Sequence, residues 1–173
     1  MKQELAYWMA LAHLPKLTTK LKNELIVKIF YDKKTIIEFF QFDSEILKNK
    51  YLLNDNEIEL LEESKKQLPN YAFMVEDLLE QGYDIIPINS EDYPTTLKNN
   101  LKRTYSPPLI YSKGNKQLFK EKSVAIVGSR DASEISLNFT DKIALEASKN
   151  FKVVVSGFAK GVDKQALDSS LKY

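Results

Sequence analysis

The chain has 173 residues, 43% of them hydrophobic, a composition typical of one or two globular domains that bury an apolar core. It contains no cysteine and a single histidine, His13, which excludes disulfides, thiolate metal ligands and histidine-rich metal sites. No apolar run is long enough to span a membrane, and the N-terminus lacks the pattern of a signal peptide, so we expect a cytoplasmic protein without membrane contacts.

Charge is unevenly distributed although the net charge is only +1. Residues 54–97 contain eleven acidic residues and two lysines, whereas residues 98–122 contain seven basic residues and one acid. A polyanion would avoid the first segment and tolerate the second. The alternative interpretation is that both segments form ordinary solvated faces.

Residues 1–82 are predicted to form a compact bundle of about five short helices. The expected helix caps are Thr18 or Thr19, Thr35 and Ser44. Pro69 is expected to kink or interrupt a longer helix. Trp8 is assigned to the bundle core rather than to a base-stacking surface, and His13 to the surface near a helix end.

Residues 83–122 are predicted to contain two short strands, at 84–88 and 109–111, separated by a short helix. Pro87 indicates an edge or bulged strand. Tyr105 and Tyr111 lie among basic residues and could stack on bases, but packing against the sheet edge is the preferred interpretation.

Two strand–turn–helix units follow residue 122. The sequence SVAIVGSR (residues 123–130) predicts a strand buried on both faces. The next helix is predicted to be amphipathic, with Asp131 and Glu134 as a capping box. Its apolar stripe consists of Ile135, Phe139, Ile143 and Ala147. The segment KVVVSGFAKGVD (residues 152–163) predicts a second buried strand and its loop, and a last helix follows. The two strands are expected to be parallel and joined by a right-handed crossover.

Each of these strands ends in a glycine turn that carries a hydroxyl and a cation. Because the carboxyl ends of parallel strands meet at one crevice, both turns are predicted to contact the same ligand. Exposed amides at glycines, together with a helix N-terminus, attract phosphate, and arginine and lysine add positive charge. The candidate phosphate-binding residues are Gly128, Ser129, Arg130, Ser156, Gly157, Lys160 and Gly161. Asp163 is expected to cap the last helix or to orient the preceding loop.

Dinucleotide-binding and P-loop motifs are absent from these turns, so a dinucleotide cofactor and P-loop ATPase activity are not expected. One enzymatic alternative stays open: a nucleotide-phosphate-binding enzyme of the phosphoribohydrolase type begins with a similar strand and turn. The glycine-rich motif with the catalytic glutamate of those enzymes is not found in the sequence.

Three blocks together resemble the DNA-processing protein A (DprA/Smf) family: residues 123–130, residues 154–163 (VVSGFAKGVD), and Tyr93–Pro94 followed by residues 107–115. The resemblance is specific from Tyr93 onward and architectural before it. It implies an α/β fold in which a helical, sterile-alpha-motif-like domain (1–82) precedes an incomplete Rossmann-like parallel sheet. Residues 83–173 would form the N-terminal part of an extended Rossmann-like DNA-binding domain.

The resemblance also implies a function. Members of the family bind single-stranded DNA, assist loading of the recombinase RecA in natural transformation, form homodimers at full length, and are not regarded as enzymes; no cofactor is expected. Gly128, Ser129 and Arg130 match the family's phosphate-contacting turn. Ser156, Gly157, Gly161 and Asp163 match its second turn, with Lys160 where an arginine is more usual.

Three departures from the family pattern limit this assignment. Leu167 stands where the family usually has a histidine, and Phe158 replaces a smaller aliphatic residue. The sheet is expected to continue through further strands in the family, so this sequence would cover only part of it, and the exposed strand edges would favour self-association. The helical domain is interpreted as a possible protein-interaction module, because its acidic segment suits a protein partner better than DNA.

Overall fold

The computed structural model describes residues 2–173 and divides into two compact units, Met1–Lys116 (unit 1) and Gln117–Tyr173 (unit 2). Unit 1 contains α1 (Lys2–Ala12), α2 (Thr19–Tyr31), α3 (Ile36–Gln41), α4 (Ser44–Asn49), α5 (Asp55–Lys66), α6 (Leu68–Glu80), β1 (Tyr83–Pro87), α7 (Thr95–Tyr105) and β2 (Leu109–Lys113). Unit 2 contains β3 (Ser123–Ala125), α8 (Glu134–Lys149), β4 (Val153–Val155) and α9 (Val162–Lys172), and a short 3₁₀ helix (Lys116–Lys120) crosses the boundary.

The predicted domain boundary after residue 82 falls within unit 1, between α6 and β1, and the domain assignment stays a prediction. Within residues 2–173, each helix is too short or too polar to cross a lipid bilayer.

Side-chain caps begin the helices of unit 1. Thr18, Thr35 and Asn54 each accept a hydrogen bond from the backbone amide three residues later, and Thr35 and Asn54 belong to complete capping boxes. Ser44 was predicted as a cap, but the cap is Asp43, whose carboxylate accepts the amide three residues on at 2.8 Å. Asp43 takes this role because its side chain reaches that amide, while Ser44 already belongs to the helix.

Pro69 interrupts the helical pattern as predicted. α5 ends before Gln67, α6 begins after it, and Pro69 lies in the first turn of α6. A proline is tolerated there because the first amides of a helix have no partner within the helix.

The core of unit 1 confirms the sequence assignment of Trp8, which is 2% exposed and stacks on Phe30 with ring centroids 6.3 Å apart. Phe39 is fully buried and makes edge contacts with Phe40 and Tyr51. Aromatic residues therefore hold together the short helices, which would not be stable in isolation.

β1 and β2 form an antiparallel pair that packs on the helical core. The register runs from Tyr83 opposite Lys113 to Pro87 opposite Leu109. α7 connects the two strands and contacts α2, so that the loop before α7 and the end of β1 lie beside the helical bundle.

Tyr105 and Tyr111, which were both predicted to pack against the sheet edge, have different environments in the structure. Tyr111 stacks on His13, and its hydroxyl lies 2.7 Å from His13 Nε2, consistent with packing rather than base stacking. Burial raises the pKa of Tyr111 to about 12. Tyr105 is 70% exposed, so the prediction that it packs against the sheet edge is wrong. Tyr105 is the last residue of α7, beyond the antiparallel strand pairing.

We expect unit 1 to lose stability as pH falls from 7.5 to 5.5. His13 is exposed as a residue, as predicted, but partial burial of its ring lowers its pKa below the ordinary 6.5, and nearby Lys22 lowers it further. Because the folded pKa lies below the unfolded one, the unfolded chain binds the proton more readily as pH falls, and the stabilisation present above pH 6.5 is lost. Urea midpoints at the two pH values measure the effect. His13→Phe should reduce the difference between them, and an undiminished difference would contradict the assignment.

In unit 2, β3 and β4 are parallel, with Ser123 opposite Val153 and Ala125 opposite Val155, as predicted. The prediction that β3 is buried on both faces is wrong: Ser123 and Ala125 are exposed, and Val124 is half-buried. Within unit 2 as described, β4 is the one strand paired with β3, so the faces of β3 are incompletely covered.

α8 buries one residue of the predicted stripe, Ala147, but the rest of its buried face differs from the prediction. Thr140, Ala144 and Ala147 are buried, whereas Ile135 is 82% and Phe139 64% exposed. α8 packs mainly against α9, and small residues allow these two helices to approach closely. The helix cap also differs from the prediction: Ser133, not Asp131, accepts the hydrogen bond from the amide of Ser136 in the first turn of α8.

Candidate functional site

Two turns follow the parallel strands of unit 2, and they converge on one carboxylate. Asp163, in the first turn of α9, accepts a hydrogen bond from Gly128 N at 3.1 Å through Oδ1. Its Oδ2 accepts a hydrogen bond from Gly157 N at 3.2 Å. The predicted convergence of the two glycine turns is therefore confirmed, and Asp163 orients both turns.

The same geometry gives these two amides an acceptor within the protein itself. Asp163 is only 8% exposed, and it occupies both donors with the protein's own negative charge. A carboxylate at this position also meets the favourable potential of the α9 N-terminus, which would otherwise attract an external anion. The assignment of Gly128 and Gly157 to a binding site stays a prediction.

Close contacts with neighbouring atoms account for two of the glycines. At Gly161, with φ +89°, a Cβ would lie 2.2 Å from the Ser129 carbonyl oxygen. At Gly128, a Cβ would lie 2.8 Å from the branched side chain of Val162. The amide of Val162 donates to the same Ser129 oxygen at 3.1 Å, so the two turns are joined backbone to backbone.

The two predicted serines have different roles in the structure. Ser156 Oγ donates to the Ile126 carbonyl at 2.6 Å, which extends the contact between the strands beyond β3 and β4. Ser129 Oγ accepts a hydrogen bond from Asp131 N at 3.1 Å, and this leaves the Ser129 hydroxyl proton free to bind an acceptor. Ser129 is exposed, whereas Ser156 is half-buried.

A cleft of about 620 Å³ opens beside these turns and is lined by Arg130, Lys160 and Gly161 together with residues of α8 and α9. Lys160 Nζ lies 3.0 Å from Asp131 Oδ1, and both side chains are highly exposed. Arg130 is exposed and has no ion pair within the described part of the chain. The lining also contains the carboxylates of Asp131 and Asp168, so Arg130 is the cation of the cleft that has no carboxylate partner among the described residues.

Two further residues at this site were not among the predicted ones. Lys164, one turn into α9, lines the cleft and forms an ion pair with Asp168. Its Nζ also lies 5.6 Å from the ring centroid of Phe158, which is 58% exposed and has a positive φ of 55°. Helical periodicity does not link Lys164 to Lys160, because Lys160 precedes α9, and nothing in the sequence indicates the backbone conformation of Phe158.

In residues 2–173, no three acidic or histidine side chains are grouped so that they could hold a metal ion. The arrangement is suited to binding an anion with side-chain cations held on a rigid backbone frame.

The fold and the cleft define an α/β protein with a helical N-terminal portion and a cationic cleft at the carboxyl ends of two parallel strands. The sequence model of the family "DNA recombination-mediator protein A" matches residues 84–173, and the chain belongs to this family, whose members act in DNA processing and recombination.

Two curated relatives, named DprA and Smf, agree with the family assignment. The chain is 34% identical over 95 residues to the DNA processing protein DprA of Bacillus subtilis (strain 168), covering 54% of this chain and 31% of the relative. It is 40% identical over 80 residues to the protein Smf of Borreliella burgdorferi, covering 46% of this chain and 24% of that protein. The chain thus matches less than a third of the length of these relatives.

A solved structure supports the fold. The X-ray structure of DNA processing protein A (DprA) from Streptococcus pneumoniae superposes with a TM-score of 0.55 at 22% identity, covering 99% of this chain and 54% of that one. This likeness confirms the predicted fold class, α/β with a helical N-terminal portion.

Proposed function

We propose that this protein binds single-stranded DNA through the cleft beside the two glycine turns, with phosphates contacting Arg130. The observation that carries the proposal is the exposed Arg130 guanidinium, which has no ion pair within residues 2–173 and lies at a cleft it shares with Lys160 and Lys164. Arginine can donate two parallel hydrogen bonds to one phosphate, which makes it the strongest anchor of the three.

The two lysines contribute because each forms an ion pair only with an exposed carboxylate, Lys160 with Asp131 and Lys164 with Asp168. The ion pair between Lys160 and Asp131 is almost fully solvent-exposed, and such pairs contribute little to stability. A DNA phosphate with a full negative charge can therefore replace Asp131 without a large cost. Ser129 adds a hydroxyl donor at the same edge.

Preference for a single strand follows from the exposed ring of Phe158. It lies on the loop that carries Lys160, and a base can stack on it when that base is not paired in a duplex. In this proposal Gly128, Gly157, Gly161 and Ser156 hold the turns in shape, while Ser129, Arg130 and Lys160 contact the strand.

The wider proposal follows from family membership. We infer that the protein acts without catalysing a reaction, assists the recombinase RecA in DNA processing, and forms a homodimer in its full-length form. Analytical ultracentrifugation of the full-length protein tests the dimer, and co-sedimentation with RecA on single-stranded DNA tests the partner. Turnover of a nucleoside monophosphate by the full-length protein would instead support the phosphoribohydrolase alternative.

Arg130→Ala is expected to weaken binding to all single-stranded sequences about equally, because phosphate contacts carry no sequence information. Losing one phosphate contact should also reduce the slope of log K against log salt concentration by about 0.7 for a single strand. Fluorescence anisotropy with labelled oligo(dT) and a mixed-sequence oligonucleotide, over a salt series, measures both effects.

The matched control is Lys122→Ala. Lys122 is an exposed cation at the amino end of β3, whereas Arg130 follows its carboxyl end. The two variants lose the same charge from the same unit. Equal losses of affinity would show that net charge, and not the cleft, determines binding, and an unchanged affinity of Arg130→Ala at low salt would overturn the site.

A further inference from the structure

Unit 1 carries two surface features that complement each other in shape and in charge. The first is a pocket of about 420 Å³ between α2, α7 and the residues that follow β1, called here the α2–α7 pocket. The second is an exposed face of α6, called here the α6 patch, formed by Phe73, Met74, Glu76, Asp77 and Glu80. What each feature can bind follows from its side chains.

The wall of the α2–α7 pocket is apolar. It is formed by Ile26, Val27 and Phe30 on α2 and by Ile88 after β1. Val27 and Phe30 are still 39% and 44% exposed, so apolar surface remains uncovered inside a concave site. Aromatic side chains that fill such pockets are the usual anchors of protein–protein interfaces. The wall therefore suits a large apolar side chain of a partner.

The cations of the α2–α7 pocket lie on α7, which contains three basic residues and no acidic one. They are Lys98, Lys102 and Arg103, all exposed, and none of the residues that line the pocket is a carboxylate. Lys98 Nζ donates to the Ile88 carbonyl at 3.1 Å, and within residues 2–173 the side chains of Lys102 and Arg103 have no ion pair. The positive charge is thus uncompensated and attracts a partner that carries carboxylates.

The α6 patch presents an aromatic ring to solvent. Phe73 is 72% exposed and its neighbour Met74 is 46% exposed, whereas Val75 is the fully buried residue of α6. Two adjacent apolar side chains that point away from the core form a small patch rather than a single scattered residue. The patch therefore offers an aromatic anchor for a pocket elsewhere.

Carboxylates surround this ring, because α6 contains three acidic residues and no basic one. Glu76, Asp77 and Glu80 follow Phe73 by three, four and seven positions, so they share its face of the helix. Asp77 accepts a hydrogen bond from the neutral amide of Gln81 at 2.8 Å. In the described part of the chain no ion pair involves an acid of α6. The α6 patch thus has the ring and the charges that the α2–α7 pocket lacks.

One copy of the chain does not bring these two surfaces together. α6 contributes no residue to the lining of the pocket. It packs on α1 and β1, whereas α7 packs on α2. Each copy of unit 1 consequently presents both a free patch and a free pocket.

We propose that the α6 patch of one copy docks into the α2–α7 pocket of a second copy. The Phe73 ring packs on Val27 and Phe30, and the carboxylates of α6 face the cations of α7 around it. An apolar centre with a charged rim is the usual anatomy of a specific protein interface. Because the contact joins two different surfaces, a docked pair retains one free patch and one free pocket unless the arrangement closes on itself. The contact involves no residue of unit 2, so it stands independently of the DNA-binding cleft.

Analytical ultracentrifugation of the 173-residue chain, at concentrations up to about 1 mM, tests the contact. The average mass should rise with concentration and fall with added salt, because salt screens the charges at the rim. Phe73→Ser should raise the dissociation constant of self-association at least tenfold, since it removes the aromatic anchor. Leu52→Ser is the matched control: it removes an apolar side chain of similar exposure, 77%, from a loop outside both surfaces. Equal effects of the two variants, or a chain that stays monomeric, would overturn the proposal.

Charge reversal tests whether the two surfaces meet each other. One double variant carries Glu76→Lys and Glu80→Lys in α6, and the other carries Lys102→Glu and Arg103→Glu in α7. Each should self-associate at least tenfold more weakly than the unaltered chain, because like charges then face each other. An equimolar mixture should associate again, since the reversed patch and the reversed pocket are once more opposite in charge. A mixture as weakly associated as the separate variants would show that the surfaces do not contact each other.

Two further results would assign the surfaces differently and refute the proposal. Self-association that responds neither to salt nor to Phe73→Ser would place the contact elsewhere, for example on the exposed apolar stripe of α8. The α7 double variant could also lose affinity for oligo(dT) as strongly as Arg130→Ala while keeping the self-association of the unaltered chain. The pocket would then bind nucleic acid rather than a second copy.

Discussion

Gly161→Ala is expected to lower the free energy of unfolding of unit 2 by about 3 kcal/mol or more. Gly161 has φ +89° and ψ −130°, a conformation that alanine adopts only at a cost of order 1 to 3 kcal/mol. The added methyl group would also lie 2.2 Å from the Ser129 carbonyl oxygen and 2.7 Å from that of Arg130, so the two turns must move apart. Amide hydrogen exchange in α9 of the 173-residue chain measures the loss.

Gly114→Ala is the matched control for this prediction. Gly114 has a positive φ of 105°, but a Cβ there meets no atom within 4 Å among the described residues. Backbone strain alone is therefore expected to cost about 1 kcal/mol at Gly114, which ends the antiparallel pair of unit 1. If the two variants lost equal stability, the close approach of the turns in unit 2 would not be the cause.

The order of elements could be predicted from the sequence because its signals are local. Thr35 and Asn54 cap helices through amides only three residues away, and Pro69 ends a helical pattern by its own geometry. The convergence of Gly128 and Gly157 was also predictable, since the carboxyl ends of two parallel strands must lie together.

The hydrogen bonding of the site was not predictable in the same way. Asp163 accepts one amide from a residue six positions away and another from a residue 35 positions away. The sequence pattern places Asp163 near the start of a helix, and this position fits a helix cap as well as it fits an acceptor for the two glycine amides. The choice between these roles depends on how closely the two turns approach, and that distance is set by Gly161 and Val162.

The predicted burial of β3 and of the α8 stripe was wrong, because burial depends on which other elements pack against a strand or a helix. The run SVAIVG predicts a strand covered on both faces, yet β3 has a single partner strand in unit 2. On α8 the apolar stripe through Ile135 and Phe139 is exposed, because the helix packs on α9 through small residues.

The position of Asp163 changes how the cleft can bind a strand. With both glycine amides occupied, recognition of phosphate is left to side chains that reach into solvent, above all Arg130. Side-chain contacts of this kind release counterions, so binding should be strongly salt-dependent. The glycines contribute by allowing the close packing that holds Arg130 and Lys160 beside one cleft.

Asp163→Ala is expected to destabilise unit 2 by about 2 to 4 kcal/mol. The change removes the two part-buried hydrogen bonds that the amides of Gly128 and Gly157 donate to the carboxylate, and each such bond to a charged group contributes about 1 to 2 kcal/mol. Asp168→Ala is the matched control, because it removes the same charge from an exposed ion pair with Lys164 and should cost less than about 1 kcal/mol. Denaturation followed through exchange of α9 amides compares the two variants, and equal losses would show that the two hydrogen bonds of Asp163 add nothing.

Formate provides a second and independent test of the same geometry. In Asp163→Ala the two amides and the α9 N-terminus surround a vacated carboxylate position, and formate has the size and charge to occupy it. Because formate would bind the folded form only, it should stabilise this variant in proportion to ln(1 + [formate]/Kd), while chloride at equal ionic strength should not. The unaltered chain and Asp168→Ala should respond to both salts alike. A formate response of the same size in all three proteins would mean that Asp163 does not hold the two turns together.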